Sequence, residues 1–176
     1  MDALIKQIKL QRVFNPPQFV SEKGSRPIPL PPPVTVEELD EAEKRMNLRL
    51  PELLRELYLY VGNGGFGPEY GILGITPAGW KDDFGDTAFS YYLKIIEPPI
   101  YNENYIGLLP ICYYGCAEHI FLDCKSEDGR IILPNEDIES ASLNLREWLE
   151  KWLNEGGTTF LLMEEFYEEN GGPKHI

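Results

Sequence analysis

The sequence predicts an α+β fold in which helices pack on a mostly antiparallel sheet. Segments with helical periodicity flank a central region of short apolar strands, and an Asp128-Gly129 turn joins two of these strands as a hairpin. Strand and helix do not alternate regularly, which argues against a parallel α/β sheet. The chain has 176 residues, the length of one domain with a small extension. We expect an N-terminal helix and proline-rich arm over 1–33 and the α+β domain over 34–176.

The N-terminal part of the chain predicts a short helix followed by the arm. Leu4, Ile5 and Ile8 have helical spacing, so an amphipathic helix is expected here. Seven of the 15 prolines lie between residues 15 and 33. Proline fixes φ and removes a backbone donor, so the arm should be extended and irregular. It could be a motif for a proline-binding module, but an arm over the domain or a linker is the preferred interpretation.

Two helices are predicted next. Thr35 and Glu38 have the spacing of a capping box, and apolar residues follow at helical intervals as far as Met46. Pro51 is expected at the first position of the second helix. That helix must stop at the Gly-Asn-Gly-Gly sequence of residues 62–65, which tolerates positive φ.

The middle of the chain predicts a strand, a loop and a helix. Residues 70–75 are short and apolar, and they indicate a buried strand. A helix is expected near 87–96. Between them, Asp82, Asp83 and Asp86 could bind Ca²⁺ in principle, but they lack the spacing of an EF-hand. A solvated acidic loop is therefore expected.

The C-terminal half predicts strands and then helices. Residues 106–113 are apolar, and residues 119–124 alternate with the period of two that is typical of a strand. The Asp-Gly turn leads into a third strand over 130–133. Apolar residues at helical spacing predict a helix over 145–153, and a final helix is expected at about 159–169.

Motifs for catalysis or cofactor binding are weak. Residues 62–67 match G-x-G-x-x-G, but a helix precedes them and a strand follows, the reverse of a dinucleotide site. Cys112, Cys116 and Cys124 lie near His119 without the paired spacing of zinc ligands, so three thiols facing the core are expected. No nucleophile motif accompanies His119. We expect no catalytic residue, metal or cofactor.

The charge of the chain indicates the kind of partner. The net charge is −13, from 16 basic and 29 acidic side chains. Nucleic acids and anionic membranes would be repelled, whereas a basic protein would be attracted. No secretory leader and no apolar run long enough to span a bilayer are recognisable, so a cytoplasmic protein is expected. Acids interleaved with aromatics predict these partner contacts: Asp82, Asp83, Asp86, Tyr91, Tyr92 and Glu118.

An ordered set of motifs resembles the SUKH superfamily, in its Smi/Knr-type branch. The resemblance runs from about residue 34 to 153. It implies an α+β fold and, for Asn63, Gly64 and Gly65, a structural role in the backbone. The matching sequences are Leu-Pro at 50–51, Leu-Arg-Glu-Leu-Tyr at 54–58, Asn-Gly-Gly at 63–65, Tyr-Gly-Ile-Leu-Gly at 70–74, Leu-Pro-Ile at 109–111, Gly-Cys at 115–116, Leu-Asp at 122–123, Asp-Gly at 128–129, and Trp-Leu at 148–149 and 152–153.

The resemblance also implies a function based on binding. Many bacterial members resemble immunity proteins, which bind and block a toxin, often a nuclease; the yeast branch is tied to cell-wall synthesis signalling. Neither role implies an active site. The leading hypothesis is an immunity protein that neutralises a basic nuclease-type toxin, either by mimicking the polyanion or by blocking an exosite. The alternatives are an intracellular scaffold or regulator of cell-wall synthesis signalling, and an enzyme that uses carboxylates gathered in a deep pocket.

Overall fold

The structure, a computed structural model, describes residues 2–14, 18–21, 24–98, 102–133 and 143–155. These ranges contain five α-helices, one 3-10 turn and two antiparallel sheets. The predicted α+β class is confirmed. In chain order the elements are α1 (Ala3–Phe14), β1 (Gln18–Ser21), β2 (Gly24–Pro27), α2 (Val36–Met46), α3 (Glu52–Tyr60), α4 (Ala88–Ile96), the 3-10 turn (Glu103–Tyr105), β3 (Leu108–Gly115), β4 (Glu118–Asp123), β5 (Arg130–Ile132) and α5 (Leu145–Glu155).

The main sheet has the order β3-β4-β5, and both pairs are antiparallel. The predicted hairpin between β4 and β5 is confirmed, and Gly129 in its turn has a φ of 67°. The β3–β4 register shifts between Pro110 and Cys112. Proline lacks the amide that a regular ladder needs, so an irregularity at this position is expected. α4 packs on β3, and α5 packs on β5.

Residues 70–75 do not form the strand that their apolar sequence predicted. Ile72 makes one isolated antiparallel bridge to Cys112. Gly71 has a φ of 86°, and a Cβ on Gly74 would lie 2.4 Å from the backbone of a neighbouring segment. A positive φ and close backbone contact bend the segment on either side of the bridge, so no longer ladder forms.

The capping box that the sequence predicted before α2 is confirmed. The Thr35 hydroxyl accepts the Glu38 amide at 3.2 Å, and the Glu38 carboxylate accepts the Thr35 amide at 2.8 Å. This capping box starts α2, and Thr87 with Ser90 forms a second one at the start of α4. Pro51 is the N-cap of α3 rather than its first helical residue.

Asn63 joins the end of α3 to the chain that follows the Ile72 bridge. Its side-chain oxygen accepts the Ile75 amide at 2.8 Å, and its side-chain nitrogen donates to the Thr76 hydroxyl at 2.7 Å. Its backbone amide donates to the Pro32 carbonyl, and its carbonyl accepts the Trp80 amide, both at 2.9 Å. Because all four polar groups of Asn63 are bonded within the fold, the residue acts as a structural connector.

The N-terminal helix shares the core of the domain. α1 packs on α3 and α5, and the Arg12 guanidinium near its end donates hydrogen bonds to the carbonyls of Val61 and Pro31. Burial lowers the pKa of Arg12. The arm, predicted to be irregular, contains the paired strands β1 and β2, since no proline between residues 18 and 26 interrupts their amides. The core residues of α1 are Leu4, Ile5 and Ile8.

The predicted helix over 159–169 lies outside the described residues. Within the described part of the chain, every helix is too short or too polar to cross a bilayer.

Candidate partner-binding surface

Two aspartates hold the loop before α4 in a fixed shape. Asp82 is 9% exposed, and its Oδ1 accepts the amides of Phe84 and Asp86, each at 2.9 Å. Asp86 is 7% exposed, and its two carboxylate oxygens lie 2.5 and 2.7 Å from the Lys94 ammonium. The expectation of a solvated acidic loop is therefore wrong for Asp82 and Asp86, because both carboxylates are buried: the loop's own amides bond Asp82, and Lys94 pairs with Asp86. Asp83 alone of the three is exposed.

His119 connects strand β4 to this loop. Its Nε2 lies 3.0 Å from the Asp82 Oδ2, and the imidazole is buried. The Tyr91 ring stacks on it at a centroid distance of 4.3 Å, and the Tyr113 ring lies at 5.3 Å. Thirty-seven residues separate His119 from Asp82 in the chain, so no sequence motif joined them. In the sequence, His119 was considered only beside the cysteines and as a residue without a nucleophile motif, and neither feature pointed to Asp82.

Replacing Asp82 with alanine should lower the free energy of unfolding by about 2 kcal/mol, because two amides and the imidazole lose their acceptor. Asp82→Asn keeps an acceptor for the amides and should cost about half as much. Urea unfolding followed by circular dichroism measures both. Asp83→Ala, at the exposed neighbour, is the control and should change stability by less than about 0.5 kcal/mol. Equal losses at both aspartates would contradict the buried role of Asp82.

Tyr70 and Phe84 are exposed aromatic side chains that share a buried support. They are 57% and 62% exposed, and their rings lie 5.5 and 5.9 Å from the Tyr113 ring. Tyr113 is 5% exposed and also contacts His119, so the rings form a continuous cluster that ends at Tyr91. We call Tyr70, Phe84, Tyr91 and Tyr113 the aromatic surface. The sequence prediction missed Tyr70 and Phe84, since it placed one in a buried strand and the other in a solvated loop.

The six predicted contact residues lie in different environments. Tyr92 is 1% exposed, and its hydroxyl accepts the Gly107 amide at 3.0 Å, so its ring belongs to the core and not to an accessible surface. Burial raises the pKa of Tyr92. Asp82 and Asp86 are the buried supports of the loop. The residues that retain accessible surface, and for which partner contact stays a prediction, are Asp83, Tyr91 and Glu118.

The β3–β4 turn exposes one of the three thiols. Cys116 and Ala117 form the turn with φ of 51° and 65°, after Gly115 at 103°. Cys116 is exposed, so the prediction of three core-facing thiols is wrong for it; the residue lies in the connecting turn and not in a strand. Burial raises the pKa of Cys112, and it raises the pKa of Cys124 to about 12. Within the described ranges, no three His, Cys, Asp or Glu side chains are grouped so as to hold a metal ion.

A cavity of about 320 Å³ lies beside the aromatic surface, since Tyr70 lines both. Trp80 also lines it, and the indole N–H of Trp80 donates to the Tyr70 carbonyl at 2.7 Å, which fixes the backbone of Tyr70. Glu69 is the one carboxylate among the described lining residues. This cavity therefore does not gather the convergent acids on which the enzyme alternative depends.

Comparison with protein families gives one match. A model described as the SMI1 / KNR4 family (SUKH-1) matches residues 33–155, which is 123 of the 176 residues. No curated protein and no solved structure gave a significant match.

Proposed function

The chain belongs to the SMI1 / KNR4 family (SUKH-1), and from this membership we propose that it is an immunity protein that neutralises a cognate bacterial toxin by direct binding in the cytoplasm. The family fits immunity roles and regulatory roles, and both work through contact with another protein. The observation that carries the proposal is the aromatic surface, on which exposed Tyr70 and Phe84 stand on buried rings. The proposed function involves binding and no chemical step.

The support beneath the aromatic surface favours tight binding. Interface energy is concentrated in a few anchors, and tyrosine and tryptophan are frequent among them. An anchor that is already held in place loses less side-chain entropy when the partner binds. Tyr113 holds Tyr70 and Phe84 from below, and the His119–Asp82 pair holds Tyr113 and the loop. The free protein thus presents anchors in a fixed arrangement.

The charge of the chain supports a basic toxin. A nuclease must be basic where it binds phosphate, and the net charge of −13 would speed encounter with such a surface. Asp83 precedes Phe84 in the loop, and Glu118 precedes His119, the β4 residue that pairs with Tyr113, so acidic residues lie next to the aromatic surface. Occupying the phosphate groove or an exosite would both inhibit the toxin.

The proposal is tested by co-expressing this chain with the products of the genes next to its own. We expect one of them to stop growth when expressed alone, to be neutralised by this chain and to co-purify with it as a one-to-one complex. Absence of both rescue and complex would overturn the immunity proposal and favour the regulator of cell-wall synthesis signalling. An unbiased pull-down from whole lysate would then identify the partner.

The double variant Tyr70→Ser/Phe84→Ser should bind the toxin at least about 30-fold more weakly and lose rescue, since truncating a binding hot spot costs about 2 kcal/mol or more. Calorimetric titration of the purified complex measures the affinity. Tyr60→Ser/Ile106→Ser is the matched control, because these residues are also exposed apolar side chains, each 42% exposed. An equal loss for both variants, or no loss for the first, would remove the aromatic surface from the interface.

A further inference from the structure

An open groove lies between α2, α4 and residues 75–78. Its volume of about 490 Å³ falls in the range of about 300–1,000 Å³ typical of ligand pockets. Ala42, Ile75 and Phe89 line it as buried residues, while Pro77 and Ala78 are exposed at its edge. The groove shares no residue with the aromatic surface. It therefore offers an apolar site made of residues other than those of the aromatic surface.

The rim of the groove is acidic. Glu37, Glu38 and Glu41 of α2 line it, together with a single basic residue, Arg45. The Arg45 guanidinium lies 4.6 Å from the centroid of the Phe89 ring, where it makes a cation–π contact. Glu38 is bonded in the capping box of α2. Glu37 and Glu41 are exposed, and neither has an ion-pair partner in the part of the chain that the structure describes.

We propose that this groove binds a basic amphipathic segment of a partner protein. Apolar side chains of the segment fill the groove over Ile75 and Phe89, and its Lys or Arg side chains meet Glu37 and Glu41. These two carboxylates are four residues apart on one helix, so they lie about 6 Å apart along α2. Lys or Arg residues one turn apart on a segment lying beside α2 would match that spacing. This inference does not depend on the toxin proposal.

Charge selects this occupant over others. A nucleic acid would bring phosphates to three carboxylates and would be repelled. A second copy of this chain carries a net charge of −13, and its acidic surface is a poor complement to an acidic rim. A basic amphipathic segment satisfies both features of the groove, because it supplies apolar surface for the floor and cations for the rim.

The test uses the full chain and a fluorescein-labelled 14-residue peptide of leucine and lysine, with leucines at helical i, i+3 and i+4 spacing. Fluorescence anisotropy should give saturable one-to-one binding, and a leucine–glutamate peptide of the same pattern should not bind. Glu37→Lys/Glu41→Lys should weaken binding at least about tenfold. Ala78→Trp, which fills the groove without changing its charge, should weaken it by a similar factor. Ala78→Trp should keep the urea midpoint of the unaltered chain, and Glu37→Lys/Glu41→Lys should lower it only slightly, because Glu37 lies in the first turn of α2.

The matched control is Glu103→Lys/Glu127→Lys, which makes the same change in net charge at two exposed acids outside the groove. It should change the affinity less than about twofold. An equal loss in the control would reduce the effect to general charge attraction and overturn the proposal. Unchanged binding by Ala78→Trp would also overturn it. Analytical ultracentrifugation that shows a dimer lost in Ala78→Trp would overturn it too, by assigning the groove to a second copy.

Discussion

Alanine at Gly64 should lower the free energy of unfolding by about 2–5 kcal/mol, while alanine at Gly85 should lower it by only about 1–2 kcal/mol. Both glycines have a left-handed backbone, with φ of 86° and 83°. A Cβ at such a φ costs about 1–2 kcal/mol at either site. At Gly64 the Cβ would also lie 2.5 Å from the Ile72 carbonyl oxygen and 2.8 Å from the Trp80 Cβ, and this overpacking adds about 1–3 kcal/mol. At Gly85 a Cβ would have no neighbour within 4 Å.

Urea unfolding of the two variants separates conformational strain from crowding, because their φ angles are nearly equal and their surroundings differ. The Gly64→Ala protein should have the lower midpoint with an unchanged slope. Equal losses would show that backbone conformation alone requires glycine in the Asn-Gly-Gly turn. The larger loss at Gly64 would show that close contact with Ile72 and Trp80 requires it. Trp80 bonds to Tyr70, so we expect Gly64→Ala to perturb the aromatic surface as well.

The helices could be predicted because their determinants are local. A capping box such as Thr35 with Glu38 is complete within four residues, and it fixed the start of α2. Likewise, the Asp-Gly sequence at 128–129 indicated the β4–β5 hairpin, although the connection is a six-residue loop over 124–129 and not a two-residue turn. The strand prediction for residues 70–75 failed because their apolar composition suits a strand, whereas their bend depends on the positive φ of Gly71 and on the close approach of Gly74 to Gly79.

The candidate site was predicted only in part, since exposure depends on contacts between distant segments. Tyr91 and Tyr92 are neighbours in α4, and nothing local distinguished the ring that stacks on His119 from the ring that enters the core. In the same way, an aspartate-rich loop is normally solvated, but Asp82 is buried here against His119, which the fold brings from a distant strand. The mixture of acidic and aromatic residues indicated which part of the chain is expected to contact a partner, whereas the three-dimensional fold determines which of its side chains are accessible.

A buried ion pair joins α2 to α3, and its loss is expected to lower the free energy of unfolding by several kcal/mol. Glu43 and Arg55 are 7% and 8% exposed, and the Arg55 guanidinium contacts the Glu43 carboxylate. The second guanidinium nitrogen donates to Asp40 at 2.9 Å, and the Leu50 amide donates to the Glu43 Oε1 at 2.7 Å. Burial opposes ionisation of Arg55, but its bonds to Asp40 and Glu43 outweigh burial and raise its pKa. The charge of Arg55 is thus stabilised by its partners.

Arg55→Ala should therefore destabilise the chain by about 3–5 kcal/mol, because it leaves the Glu43 carboxylate buried without its main partner. Urea unfolding measures the loss. Arg49→Ala is the matched control: Arg49 lies 3.0 Å from the same carboxylate, but its side chain is 69% exposed, so its loss should stay below about 1 kcal/mol. Glu43→Gln/Arg55→Ala should recover part of the stability, since no unpaired charge remains and the glutamine still accepts the Leu50 amide. If this double variant were no more stable than Arg55→Ala, the loss would come from packing of the Arg55 side chain and not from an uncompensated charge.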